Sequence, residues 1–169
     1  MAATTALHVH LATPEAFPAD GFRFELIEDP ATTTLEISNP TTHPIIYKII
    51  SNTASYVVKS GYGVIVAGAQ KELRFTMVDA ARQDILANAE EGLLLSNDQF
   101  GVVIASVGRD LAQVIETKEG QALKDYINSI FAQKAKFPSR VKKFSVRLVV
   151  PPKDANDDAK HRTTRTYTS

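Results

Sequence analysis

Two histidines one residue apart, His8 and His10, stand in the alternating run Leu7-His8-Val9-His10-Leu11, where strand geometry puts both imidazoles on one face. That spacing suits a divalent metal, but a site needs a third ligand, and only His43, His161 and carboxylates remain to supply one. The expectation is therefore surface histidines on an edge strand and no metal. Gly61-Tyr62-Gly63 looks like a fragment of a phosphate loop, yet it precedes a strand pattern rather than a helix, so its glycines are read as turn formers. Serines and carboxylates are plentiful, but no Gly-x-Ser-x-Gly elbow frames any of them, and the chain has no cysteine to act as a thiol nucleophile or ligand. No catalytic residue and no cofactor are expected. Lys48, Lys143 and Arg147 lie in alternating runs, where a single cation is by default the solvated side of its strand. Lys160 to Arg165 is basic and threonine-rich, a place where phosphorylation would invert the local charge, and its plain reading is an ordinary terminus.

Composition bounds what could position such residues. The chain has 169 residues, with 19 Lys+Arg against 19 Asp+Glu, 44% hydrophobic and 22% charged. That length and balance suit one globular domain. Zero net charge argues against a protein whose main task is to hold nucleic acid. No run approaches the ~20 consecutive apolar residues of a membrane span, and Met1 to Leu11 lacks the basic and apolar regions of a secretory signal. The absence of cysteine fits a reducing compartment, and the expectation is a cytoplasmic protein without direct membrane insertion.

From residue 7 to 77 the apolar residues recur at every second position: Phe22, Phe24 and Leu26; Leu35 and Ile37; Leu73, Phe75 and Met77. Turn signals such as Thr13-Pro14, Ala19-Asp20-Gly21, Asp29-Pro30, Asn39-Pro40 and Ala67-Gly68 separate these runs. Short strands so punctuated indicate an antiparallel β-sandwich. From Asp79 to about Lys136 helix formers dominate. A short helix is predicted over Ala80 to Glu91. Phe100, Val103, Ile104, Val107, Leu111, Val114 and Ile115 then form one stripe, capped at Ser96 or Asn97. Gly101 and Gly108 weaken that second helix, and a short strand over Val102 to Ala105 is the alternative. Leu123, Tyr126, Ile127, Ile130 and Phe131 form a further stripe, capped at Thr117 and read as core. Alternation returns in Phe144, Val146, Leu148 and Val150 and stops at Pro151-Pro152. The domain is therefore placed at 1–152, with a helical insertion at about 79–139 before the last strand. The tail 153–169 is expected to be disordered.

The runs Thr34-Leu35-Glu36-Ile37-Ser38-Asn39-Pro40-Thr41, Ile46-Tyr47-Lys48-Ile49, Tyr56-Val57-Val58-Lys59, Gly63-Val64-Ile65 and Ala67-Gly68-Ala69, in this order, resemble a major sperm protein (MSP) domain. This is the module also found in VAMP-associated proteins. Lys143-Phe144-Ser145-Val146, ending at Pro151-Pro152, resembles the same domain's last strand. The likeness covers roughly residues 7–78 and 140–152 and leaves the segment between them outside the usual pattern. It implies a mainly β, immunoglobulin-like (MSP/PapD-like) antiparallel sandwich without enzymatic chemistry. Some members self-assemble in the sperm cytoskeleton; others receive short acidic peptides with two phenylalanines on a basic sheet face.

Alternation puts Lys48, Ile50 and Asn52 on the face opposite Ile45, Tyr47 and Ile49. The resemblance sets the last strand beside them, so that Lys143, Ser145 and Arg147 join the same outward face. Those six residues are the expected binding site, for a protein or peptide partner, acidic by complement to the cations. Ile50-Ser51-Asn52 departs from the Lys-Thr-Thr of receptor members, and Ser145 stands where they carry a methionine. Ile50, apolar on an outward face, is expected to lie beneath the inserted helices. The alternative function is self-association into a dimer or filament, for which neutral charge removes one barrier.

Overall fold

A computed structural model describes the backbone of residues 6–10 and all of residues 21–153. The side chains of His8 and His10, the turns at Thr13-Pro14 and Ala19-Asp20, and the tail with His161 lie outside the described residues. In chain order the elements are β1 (Ala6–His10), β2 (Phe22–Glu25), β3 (Thr32–Ser38), β4 (Ile45–Ser51), β5 (Tyr56–Val58), β6 (Tyr62–Ile65) and β7 (Gln70–Met77). They continue with α1 (Asp79–Asn88), β8 (Gly92–Ser106), α2 (Arg109–Glu116), α3 (Gly120–Phe131) and β9 (Arg140–Val150). Among the described residues the strands form two sheets, a smaller one in the order β1-β3-β7-β5 and a larger one in the order β2-β9-β8-β4-β6. The two N-terminal strands pair in parallel with β3 and β9, one in each sheet, and the other pairings are antiparallel.

The alternating runs place their apolar members between the sheets. Phe22, Phe24, Leu35, Ile37, Leu73, Phe75, Phe144, Val146 and Leu148 are all buried there. Phe22 sits at the centre, with ring centroids 4.6 Å from Phe75, 5.0 Å from Phe100 and 5.4 Å from Phe144, tilted or edge-on as aromatic quadrupoles favour. Tyr56 extends this group toward Phe24 and Phe100 and donates its hydroxyl to Asp98 at 2.9 Å. The Asn39-Pro40-Thr41 turn is tied by Asn39 itself, which is buried. Its amide donates to the carbonyls of His43 (2.8 Å) and Ile65 (2.9 Å), and its oxygen accepts from the Thr41 hydroxyl at 2.6 Å. A buried amide must be satisfied in this way, so the turn is fixed to the end of β6.

The segment 79–139 contains helices between strands, but it is not helical throughout. α1 agrees with the predicted short helix. Its buried Arg82 donates to the Leu26 carbonyl at 3.0 Å, and Ala81, Ile85 and Leu86 pack on the sandwich core. The stripe predicted from Phe100 to Ile115 is corrected in favour of its alternative, the strand over Val102 to Ala105. Its first half is the strand β8, which begins well before Val102 and lies between β4 and β9. Phe100, Val102 and Ile104 face the core, while Val103 and Ala105 lie under helices on the other side. Burial on both faces erases the polar half of the alternation, so the run imitates helical spacing. Ser96 and Asn97 are strand residues rather than caps, and Thr117 closes α2, donating to the Val114 carbonyl at 2.6 Å. The stripe from Leu123 to Phe131 holds: Ile127, Ile130 and Phe131 of α3, with Ile115 of α2, pack on Ile46, Val103 and Ala105 as a second core.

Candidate functional site

β4, β8 and β9 share the outward face of the larger sheet, and their register puts its residues in rows. Ile50 is opposite Gly101, which is opposite Lys143; Lys48 is opposite Val103, which is opposite Val141. The expectation that the last strand lies beside β4 is thereby corrected. A whole strand intervenes, because β8 is the segment that sequence spacing reads as helix.

The six predicted residues meet different fates. Lys48 is taken by α3: its ammonium donates to Asn128 Oδ1 at 3.1 Å and sits 5.1 Å from the centre of the Phe131 ring. Asn52 serves the sheet. Its amide donates to the Asn97 carbonyl at 3.0 Å and its oxygen accepts from the Gln99 N–H at 2.9 Å, across the irregularity in β8–β9 pairing between Leu95 and Gln99. Ser145 is half-buried beneath the chain at Gly21, where a side chain would meet the Ser145 carbonyl and come within 2.8 Å of its hydroxyl. Gly21 also has φ +57°, so glycine there meets both demands at once. Arg147 is half-buried, in register with Leu95 on one side and Arg23 on the other.

Ile50 and Lys143 remain together and open. Ile50 is 40% exposed, so the expectation that helices cover it is corrected: α2 and α3 reach only the Ile46–Lys48 end of the face. Between Ile50 and Lys143, Gly101 leaves a hollow of about 220 Å³, lined also by Ser51, Asn52, Gln99 and Phe100. A Cβ at Gly101 would stand 2.6 Å from Ile50 Cγ1, so the isoleucine leans into space that only glycine leaves free. Val141, 47% exposed, lies on the other side of Gly101. Among the described residues no hydrogen bond or ion pair engages the Lys143 ammonium. The hollow falls below the usual range for drug-sized ligands and is of a size for one side chain. It offers apolar contact with an ammonium at the rim, chemistry suited to an apolar side chain flanked by a carboxylate. Ser51, Gln99, Phe100 and Gly101 are the lining residues that the sequence reading misses. The signal for Gly101 was an isolated glycine inside an apolar run, which in a strand marks a close approach.

The shifted titrating groups lie in the core rather than at this site. Burial pushes the Tyr47 and Tyr56 phenols well above the usual tyrosine range, and for Tyr56 the adjacent Asp98 carboxylate pushes further the same way. Among the described residues no group of three or more His, Asp or Glu stands close enough to hold a metal. No helix among them is long and apolar enough to cross a membrane.

A family model described as the MSP (Major sperm protein) domain matches residues 15–122. The match takes in β8 and α2, which sequence spacing assigns to an insertion outside the domain pattern. Among solved structures the chain is similar to WR4, a C. elegans MSP family member, at 15% identity over 85% of this chain and 92% of that one, with a TM-score of 0.39. It is also similar to an ASH / PapD-like domain of human CEP192, at 10% identity over 85% and 95% of the two chains, with a TM-score of 0.41. The YadV chaperone is similar at 9% identity over 78% of this chain, with a TM-score of 0.42, and this chain spans 49% of its length. No curated protein matches the chain.

Proposed function

Since the chain belongs to the major sperm protein domain family, we propose that it is a non-enzymatic interaction module, with the cytoplasm as its setting, that takes a partner segment on the uncovered part of the larger sheet's outward face. The observation that supports this most directly is the hollow at Gly101, bordered by Ile50 and Lys143. The partner segment offers one apolar side chain to the hollow and a carboxylate to Lys143. Lys48 is outside the site, because α3 lies over it and holds its half-buried ammonium on Asn128.

Fluorescence-labelled acidic peptides carrying one central phenylalanine or leucine test the reading. They are expected to bind with an affinity that falls as salt rises, and Lys143→Glu is expected to weaken binding about ten-fold or more. Gly101→Leu should abolish binding by filling the hollow. Peptides that bind the wild type and both variants alike, or that bind none of them, would place the site elsewhere.

A second reading, self-association, is favoured by one observation. Leu93, Leu94 and Leu95 at the start of β8 are 59%, 40% and 65% exposed, and that stretch pairs with β9 while β4 begins its pairing only at Phe100. An exposed apolar strand segment with one partner edge is suited to pairing with another chain. Sedimentation over a wide concentration range distinguishes the two readings, since a strict monomer leaves only the first.

A further inference from the structure

β6 is the edge strand of the larger sheet, and the α2–α3 pair packs against it. The two enclose a cleft of about 540 Å³ on residues other than those of the Gly101 hollow. Three lysines from separate elements line it: Lys71 from β7, Lys118 from the α2–α3 turn, and Lys124 from α3. Each ammonium lies over a ring rather than against a carboxylate: Lys71 at 5.9 Å from the Tyr47 centroid, Lys118 at 4.6 Å from Tyr126, and Lys124 at 5.6 Å from Tyr62. Among the described residues none of the three has an ion-pair partner. A ring holds a cation in place by its quadrupole without neutralising it, so the positive charge stays available to a ligand.

The rest of the cleft fits the same occupant. Glu116 is its one lining carboxylate, which leaves the lining with a net charge of +2. A phosphate monoester carries about −1.5 to −2 at neutral pH, close to the complement of that charge. Ser60, held at φ 57°, lines it as well. Gly120 opens α3, whose N-cap residue Glu119 makes no side-chain capping bond, so the first-turn N–H groups add a positive end to the lysines. Tyr62 and Leu123 give the cleft apolar wall beside the charges, room for the organic part of an ester.

We propose that this cleft is a second binding site, separate from the Gly101 hollow, for a phosphate monoester of an apolar or aromatic group. Such an ester is supplied either as a small molecule or as a phosphorylated side chain of a protein. Titration of the full chain with phenyl phosphate, followed by backbone amide NMR, tests it. Shifts are expected at residues 60–63 and 118–124 and not at 50, 101 or 143. The double variant Lys118→Ala/Lys124→Ala is expected to weaken binding about ten-fold or more, since each lost charge-assisted contact counts heavily. Lys143→Ala should leave it unchanged, which separates this site from the one proposed above. A phosphotyrosyl peptide that binds more tightly than phenyl phosphate assigns the phosphate to a protein, and equal binding assigns it to a small ester; either supports the site. No shift at millimolar phenyl phosphate, unchanged affinity in the double variant, or equal binding of the unphosphorylated peptide would overturn it.

Discussion

The two ends of the larger sheet's outward face are built from the same strands and do opposite things. At one end Ile46, Val103 and Ala105 lie under Ile115, Ile127, Ile130 and Phe131 and form a second core. At the other, Ile50 and Val141 stand half-open around Gly101, with Lys143 at the rim. The covered end is apolar on both sides of β8, whereas at Gly101 the strand has no side chain at all. Burial against helices stabilises one end, and a gap in the surface gives the other something to recognise with. The helices thus confine recognition to a portion of the face rather than abolishing it, and they remove Lys48 from it.

The largest test of that contrast is Ile127→Ala. Ile127 is fully buried, and truncation there is expected to cost about 2–5 kcal/mol in urea unfolding. A loss below about 1 kcal/mol would mean that α3 rests only loosely on the sheet. Alkaline pH probes the core that both ends share. Tyr47 and Tyr56 stay neutral in the fold well above their ordinary range, while in the unfolded chain they ionise near pH 10. Their folded pKa values are raised, so the stability linked to them is complete below about pH 10 and is lost as pH climbs beyond it. The slope is up to about 1.4 kcal/mol per pH unit for each tyrosine. Tyr56→Phe should reduce that slope in a pH series of melts, and an unchanged slope would locate the effect elsewhere.

Smaller effects sharpen the comparison. Lys48→Ala removes the bond to Asn128 and the stacking on Phe131, and about 1 kcal/mol of stability is expected to go with them. Peptide binding at the Gly101 hollow should not change, and if it weakened as much as in Lys143→Glu, the two ends would act as one site. Ile50→Ala is expected to alter stability by less than about 0.5 kcal/mol while weakening peptide capture.

Legibility in the sequence followed burial on one face. The runs at Phe22–Leu26, Leu73–Met77 and Phe144–Val150 could be read because each has a dry side and a wet side, and period two survives in the residue types. α3 could be read for the same reason at its own period. β8 could be read only as the alternative strand over Val102 to Ala105, since from Phe100 to Ala105 it is buried on both faces. That one misreading carried others with it: the place of β9, the company of Lys48, and the cover expected over Ile50. Asn52 and Ser145 were legible as outward positions, but their commitments to Gln99 and to the chain at Gly21 were not.

Residue order alone specifies the sandwich, its alternating strands, the Asn39 turn and the likeness to the MSP domain, because each is written in residues close together along the chain. Which cations remain available is instead a matter of three-dimensional packing. Lys48 is engaged by Asn128, 80 positions away, while Lys143 keeps an open side. Cover depends on which distant element packs over a residue, and no local spacing encodes that relation.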